Sequence, residues 1–194
     1  MNTIIVNDIV REYLDSEKQD IVIVCVGSDK CIYDSLGPIV GTEISKENNV
    51  IIYGTLENPV HALNLASTVQ SINFFHKDAF IIGIDTCLTD FEDNVGDILF
   101  REYSLRPGRG VNKDLPHVGD VSVIGITKNV LSMKHQDVSL FFVMNMAKEI
   151  SDIILSALEQ IEFERAICDV NLEDSKILQE YGSINYDEEC YEYI

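Results

Sequence analysis

Two aspartates, Asp34 and Asp85, each follow an apolar segment of the sequence. Residues 21–26 and 79–84 are runs of mostly branched apolar side chains, which is typical of strands covered on both faces of a parallel sheet. In an open α/β sheet, residues that follow the carboxyl ends of strands meet in one crevice. The sequence therefore predicts that these carboxylates are neighbours that could activate a water molecule or hold a metal ion.

The chemistry of such a pair depends on the distance between its carboxyl groups. If Asp34 and Asp85 lie a few ångströms apart, like-charge repulsion raises the pKa of one of them, so that an acid and a base share a proton across a water. That is the chemistry of an aspartic protease. The alternative is that Asp34 only caps a helix and that Asp85 only hydrogen-bonds a turn.

The elements that would position the pair follow the pattern of βαβ units. After the first strand, a helix is predicted over 36–46, with Pro38 in its first turn where the missing N–H has no partner to lose. A second strand is predicted over 50–53, and a helix opening at Asn58-Pro59 precedes the third strand. Because crossovers of such units place successive strands side by side, the three strands are predicted to be parallel.

The second half of the chain has a different pattern. Strands are predicted over 97–103 and 121–126, and no helix-length segment separates them, so at least one is expected to run antiparallel at a sheet edge. The connection 105–120 is long enough to suggest a functional loop. A long helix with one buried face is predicted over 138–161, and the acidic tail from 162 is expected to be a solvated or loosely docked extension.

Length and composition indicate one folded domain. The 194 residues are 46% hydrophobic and 24% charged, which predicts a single α/β domain with a mostly parallel mixed sheet. Its core is expected over about 18–161 and its acidic extension over 162–194. The formal net charge of −19 repels phosphate, so we expect no direct contact with nucleic acid or an anionic membrane and an attraction to basic partners.

The sequence also predicts a compartment. The first residues lack the charged leader and apolar stretch of a signal peptide, and no apolar run approaches the roughly twenty residues that span a bilayer. The five cysteines are odd in number and lack CxxC spacing, which argues against a disulfide framework and a structural zinc site. We therefore expect a protein of the reducing cytoplasm.

Further polar residues are candidates for the same crevice. Asp29, at the end of the first strand, could support the geometry of the aspartate pair. The loop after the fourth strand carries a basic patch, which could bind a carboxylate or orient a peptide backbone; the alternative is a solvated loop that balances nearby acids. The patch consists of Arg106, Arg109 and Lys113, with Asn112 as a further amide contact.

Two histidines and a cysteine complete the candidates. His117, in the same loop, could bind a metal or transfer a proton, and the alternative is a solvated side chain. His61 is predicted to be a helix-surface or hydrogen-bonding residue instead of a ligand. Cys87 is predicted to be a small buried residue, because no local base supports a role as nucleophile.

Four segments together resemble the YyaC-type sporulation proteins of endospore-forming Firmicutes, which are relatives of the germination spore protease. The similarity extends from about residue 21 to 127 and includes one long, specific segment. The segments are DSLGP at 34–38, YGTLENPVH at 53–61, ID at 84–85 and RPGRGVNKDLPHVGD at 106–120.

The resemblance implies a fold and a site. The fold would be the phosphorylase/hydrolase-like three-layer α/β/α sandwich that is shared with hydrogenase maturation endopeptidases. The spore protease is similar to an atypical aspartic peptidase, and its two acids match Asp34 and Asp85. In the hydrogenase maturation enzymes, acids at these positions and a later histidine bind nickel, so that His117 would join the pair if a divalent metal (nickel or zinc) is bound; the aspartic mechanism itself requires no cofactor.

The function implied by the resemblance is that of an endopeptidase, either aspartic-type or metal-assisted, in the sporulation and germination system. Its substrate would be a protein or peptide, with the small acid-soluble spore proteins as candidates, and its compartment the cytoplasm of the forespore or mother cell. A homo-oligomer is compatible with this reading. The rival hypothesis is a catalytically silent or metal-binding sporulation regulator that retains the peptidase fold.

Overall fold

A computed structural model describes residues 2–47, 50–108, 115–129 and 138–182, with side chains as far as residue 168 except that of residue 129. Within these ranges the chain forms four helices and five strands, together with two short 3-10 turns at Ile32–Asp34 and Glu92–Asn94. The helices are α1 (Asn2–Asp15), α2 (Leu36–Ile44), α3 (Leu65–Phe75) and α4 (Leu140–Gly182), and the strands are β1 (Ile21–Cys25), β2 (Ile51–Tyr53), β3 (Phe80–Thr89), β4 (Ile98–Arg101) and β5 (Val121–Asn129).

The sheet has the strand order β2-β1-β3-β5-β4. β1 is parallel to both β2 and β3, and β3 is parallel to β5. β4 pairs antiparallel with β5 at the edge, which confirms the prediction for the second half of the chain. The chain leaves β1 in one direction toward β2 and later returns to its other side as β3, so that the sheet has a topological switch point between β1 and β3.

Helices and a loop cover the sheet on both faces, which confirms the three-layer α/β/α architecture. Alternate residues of β1 point to opposite faces: Ile23 and Cys25 pack with α1, α2 and α4, whereas Val22 and Val24 pack with α3. Because β1 is central and buried on both faces, all of its inward positions are apolar, and this produces the continuous β-branched run that predicted it.

The N-terminal helix α1 is an element that the sequence analysis did not predict. Its buried side chains recur at helical spacing and join the larger of the two apolar clusters; they are Ile5, Val6, Ile9, Val10 and Tyr13. The Tyr13 ring meets Phe80 edge to face, 5.6 Å between centroids, and its hydroxyl donates to the Gln19 carbonyl. The core therefore begins well before residue 18, and the expected boundary there was wrong.

Two element boundaries differ from prediction because of hydrogen bonds that the periodicity does not show. α3 begins at Leu65 and not at Asn58, since the Asn64 side chain binds the preceding loop: its Oδ1 accepts from the His61 N–H (2.8 Å) and its Nδ2 donates to the Pro59 carbonyl (2.9 Å). β3 continues to Thr89 because β5 pairs with it beyond Ile84.

The last helix is much longer than predicted. α4 continues to Gly182, so the segment from 162 to 182, which was expected to be a solvated or loosely docked extension, is helical. Arg165 Nη1 donates to the Gln19 carbonyl at 3.1 Å, which ties part of this segment to the turn before β1. Among the described helices, none is both long enough and apolar enough to cross a bilayer.

The contribution of α1 to the core can be tested with two isoleucines of the same helix. Ile9 is fully buried, whereas Ile4 is 64% exposed. We expect Ile9→Ala to lower the free energy of unfolding by about 2–5 kcal/mol because it removes buried methylenes and leaves a cavity. Urea unfolding measures the change, and the matched Ile4→Ala variant should stay within about 0.5 kcal/mol of the parent. Equal effects of the two changes would contradict the docking of α1.

Candidate active site

The segment after β1 folds back so that Asp34 lies against the carboxyl end of that strand. The Ser28 N–H donates to the Asp34 carbonyl at 2.9 Å, and the turn Ile32–Asp34 leads directly into α2. Gly27 makes the approach possible: its φ is +150°, and a Cβ at this position would lie 2.2 Å from the Asp34 carbonyl oxygen. A side chain at residue 27 would therefore displace Asp34.

Asp85 lies inside β3, at the point where β1 ends. Cys25 is level with Ile84, and the Val26 N–H donates to the Ile84 carbonyl at 2.7 Å. From Asp85 onward β3 has lost β1 as a neighbour but still pairs with β5. Asp85 was expected to follow the strand, but it lies within the strand, at the switch point. One of its carboxylate oxygens accepts from the Thr86 N–H at 2.7 Å.

The structure brings the two predicted carboxylates to the same place. Gly27, which contacts Asp34, is two residues past the last residue of β1, and Asp85 is one residue past the partner of that residue on β3. Neighbouring strands lie only about 4.8 Å apart. Asp34 and Asp85 therefore lie close enough for the charge of Asp34 to act on Asp85, and both side chains are partly exposed.

Burial controls the protonation of the pair. It raises the pKa of Asp85 to about 7; the Thr86 N–H opposes the shift, and the negative charge of Asp34 adds to it. Burial also raises the pKa of Asp34, but an N–H from the Ser28 backbone and the positive charge of His61 oppose the shift. The site thus favours a neutral Asp85 beside an Asp34 that is more readily ionised.

His61, which was predicted to be a helix-surface or hydrogen-bonding residue, lies near Asp34. Val60 forms a parallel bridge with Val26, and its carbonyl accepts from the Gly27 N–H at 2.8 Å. This pairing places the next residue, His61, beside the segment that holds Asp34. Since the Leu63 N–H donates to His61 Nδ1 (3.3 Å), the neutral ring carries its proton on Nε2. The Pro-Val-His sequence within the family-like segment was the available signal.

The other predicted site residues within the described ranges are all on the surface. Asp29, Arg106 and His117 are exposed. Arg109, Asn112 and Lys113 lie outside the described residues, so their predicted roles stay predictions. An antiparallel bridge between Leu105 and Val118 joins the two ends of the loop that was predicted to be functional. Both residues pack in the apolar cluster that contains side chains of α3.

The three-ligand metal set is not assembled in this geometry. Among the described residues, which include Asp34, Asp85 and His117, no three histidine, cysteine or acidic side chains are close enough together to hold a metal ion. Two carboxylates alone do not satisfy the usual coordination of zinc. The donor set therefore does not fit the metal centre that the resemblance implied.

Cys87 is exposed, and the expectation of a buried residue was wrong. Partial burial of the thiol raises its pKa, and the negative charge of Asp85 adds to this effect. The sulfur contacts the Leu88 carbonyl at 3.2 Å. A raised pKa disfavours the thiolate, so this cysteine is not activated as a nucleophile.

The raised pKa of Asp85 predicts a pH dependence of stability. Because the folded state binds this proton more tightly than the unfolded chain, whose carboxyl has the ordinary pKa of 3.8, the contribution is complete below that value and is lost as pH rises through about 7. Asp85→Asn removes the ionisation. Relative to this variant, the wild type should lose about 2 kcal/mol of unfolding free energy between about pH 5 and pH 8.

Urea unfolding at the two pH values provides the measurement. Asp78→Asn is the matched control, because Asp78 is exposed at the opposite end of β3. Its difference from the wild type should not depend on pH in this range. A constant difference for Asp85→Asn would show that Asp85 is ionised at neutral pH.

Known proteins resemble this chain in fold and in sequence. The hydrogenase maturation protease HycI from Thermococcus kodakarensis has a similar structure, with a TM-score of 0.51 and 18% identity over 77% of this chain and 99% of HycI. At this identity the likeness concerns the protease-like α/β fold alone. The uncharacterised protein YyaC of Bacillus subtilis is 39% identical over 137 residues, which are 68% of this chain and 66% of YyaC.

A family model matches the chain from its N-terminal helix onward. The chain spans just under two thirds of the length of YyaC, whereas the model for the family described as "Protein of unknown function (DUF1256)" matches residues 1–153. The match begins with α1, contains all five strands and includes both Asp34 and Asp85. The chain therefore belongs to the DUF1256 family and is a homologue of YyaC.

Proposed function

We propose that this protein is a peptidase that hydrolyses peptide bonds with the carboxyl groups of Asp34 and Asp85. The observation that carries the proposal is the position of both residues where β1 ends beside β3, with the charge of Asp34 acting on Asp85. Crevices at topological switch points are the usual ligand sites of open α/β sheets. The protease-like fold shared with HycI supports the same assignment.

The two carboxyl groups have different surroundings, and we therefore assign one of them as the general base and the other as the general acid. Asp34, beside His61, is the ionised partner and takes a proton from the attacking water. Asp85, kept neutral by burial, donates its proton to the oxygen of the scissile carbonyl. The water oxygen bonds to the carbonyl carbon and gives a tetrahedral gem-diol. The proton on Asp34 then passes to the leaving amine as the C–N bond breaks, and one hydroxyl of the gem-diol returns its proton to Asp85 as the C=O bond re-forms.

The substrate in this proposal is a protein segment. Both carboxyl-bearing side chains are partly exposed, so a substrate chain can approach them. The net charge of −19 attracts basic segments over a long range. Small acid-soluble spore proteins in the forespore or mother-cell cytoplasm are the candidate substrates, through the resemblance to the spore protease.

Replacing either carboxyl group should abolish cleavage and keep the fold. We expect Asp34→Asn and Asp85→Asn to lower kcat/KM by about 10³-fold, because each removes one half of the general acid–base pair. Cleavage of a small acid-soluble spore protein, followed by mass spectrometry, measures the rate. Asp78→Asn is the control and should retain full activity, since Asp78 lies at the opposite edge.

Two outcomes would contradict the proposal. Undiminished cleavage by both asparagine variants would show that another group does the chemistry. A folded wild-type protein that cleaves neither spore proteins nor a mixture of unstructured peptides would favour the rival, a silent regulator with the peptidase fold.

The pH profile of cleavage should report both carboxyl groups. Since the reaction needs one ionised and one neutral partner, the rate should fall on the alkaline side near pH 7, where Asp85 loses its proton. His61→Gln removes the charge that lowers the pKa of Asp34, so the acid limb should move to higher pH. Steady-state rates across the pH range measure both limbs. An acid limb that does not move in His61→Gln would exclude His61 from the site.

A further inference from the structure

The turn that carries Asp34 and the strand that carries Asp85 are joined by two threonine hydroxyls. Thr86 Oγ1 and Thr127 Oγ1 are 2.7 Å apart, and Thr127 Oγ1 lies 3.2 Å from the Tyr33 carbonyl oxygen. Tyr33 precedes Asp34, and Thr86 follows Asp85. The connection crosses from β3 through β5 to the 3-10 turn, three segments that are far apart in sequence.

Two hydroxyl protons serve three hydrogen bonds here, because the Tyr33 and Gly125 carbonyls can only accept. The Thr127 hydroxyl donates to the Tyr33 carbonyl, which is the shorter of the two carbonyl bonds, 3.2 Å against 3.3 Å. Thr127 is then the acceptor toward Thr86, whose hydroxyl donates the shorter bond and only weakly shares its proton with the Gly125 carbonyl at 3.3 Å. One chain of bonds therefore extends from Thr86 to the backbone of the Asp34 turn.

Thr127 reaches this position because β5 has an extra residue there. Cys87 pairs with Ile126 and Leu88 pairs with Lys128, which leaves Thr127 without a partner on β3. Such a bulge turns a side chain away from the regular strand pattern. The side chain is nonetheless only 1% exposed, so a Thr127 hydroxyl without a partner would have no water to replace the lost bond.

We propose that Thr127 is a positioning residue for the aspartate pair, holding the Asp34 turn at a fixed place relative to β3. The catalytic consequence of this inference rests on the proposed function, whereas the hydrogen bonds that position the Asp34 turn do not depend on it. Without the hydroxyl, the Tyr33 carbonyl loses its donor and the Asp34 turn can shift. A shift of about 1 Å at a reacting group can reduce turnover by as much as about 10²-fold.

Thr127→Val tests the proposal, because valine keeps the shape of the side chain and removes the hydroxyl. We expect kcat to fall by about ten- to a hundredfold with a much smaller change in KM, since the defect concerns the reacting groups. Thr127→Ser retains the hydroxyl and should restore most of kcat. Ser122→Ala is the matched control: Ser122 is also buried on β5, and its hydroxyl donates to the Tyr103 carbonyl at 2.9 Å, in a loop that carries neither aspartate.

A second readout separates this inference from the peptidase assignment. The ¹³C resonances of the Asp34 and Asp85 carboxyl groups at neutral pH should shift in Thr127→Val, recover in Thr127→Ser and stay unchanged in Ser122→Ala, whether or not the protein cleaves peptides. Unchanged resonances in a folded Thr127→Val variant would overturn the proposal. If the valine variant does not fold, Thr127→Ser still decides: resonances unlike those of the wild type would overturn the proposal, and wild-type resonances would support it.

Discussion

The close approach of backbones at the carboxyl end of β1 is the constraint on which the rest of the site depends. A Cβ on Gly27 would overlap the Asp34 carbonyl, and one on Gly37 would lie 2.2 Å from the Val26 carbonyl oxygen. The first glycine admits the turn that carries Asp34, and the second lets α2 start directly against the strand. A larger residue at either position would push the Asp34 turn and α2 away from β3, and the carboxyl groups of Asp34 and Asp85 would no longer lie together.

A sheet covered on both faces leaves few places for an ionisable group. In this chain the interior positions of β1 and β3 are apolar up to Cys25 and Ile84, and the first acid on β3 appears where β1 ends. There the carboxyl group of Asp85 is partly desolvated without being sealed from solvent. The same position explains its raised pKa and its partial exposure: the surrounding protein desolvates one side of the carboxyl group, and the end of β1 leaves the other side open.

The sequence analysis recovered the fold in outline. The strands at the centre of the sheet, the antiparallel edge and the helix after Asp34 followed from periodicity and from Pro38, all of which are local signals. α1 was not predicted, since it has neither acidic residues in its first turn nor basic residues in its last turn, which are the usual signals of helix ends. The early start assigned to α3 and the short end assigned to α4 arose because apolar periodicity does not register a side chain that binds a loop, or a polar helix that continues past the core.

The sequence by itself determined which groups could do chemistry: two aspartates placed after buried strands, and the family-like segments around them. Only the tertiary structure decided which other residues lie near these two aspartates. His61 enters through the bridge between Val60 and Val26, Thr127 enters through a bulge in β5, and His117 stays exposed outside any three-ligand group of the described residues. The physical reason is that helical and strand periodicity are local along the chain, whereas strand register and loop closure depend on contacts between distant segments.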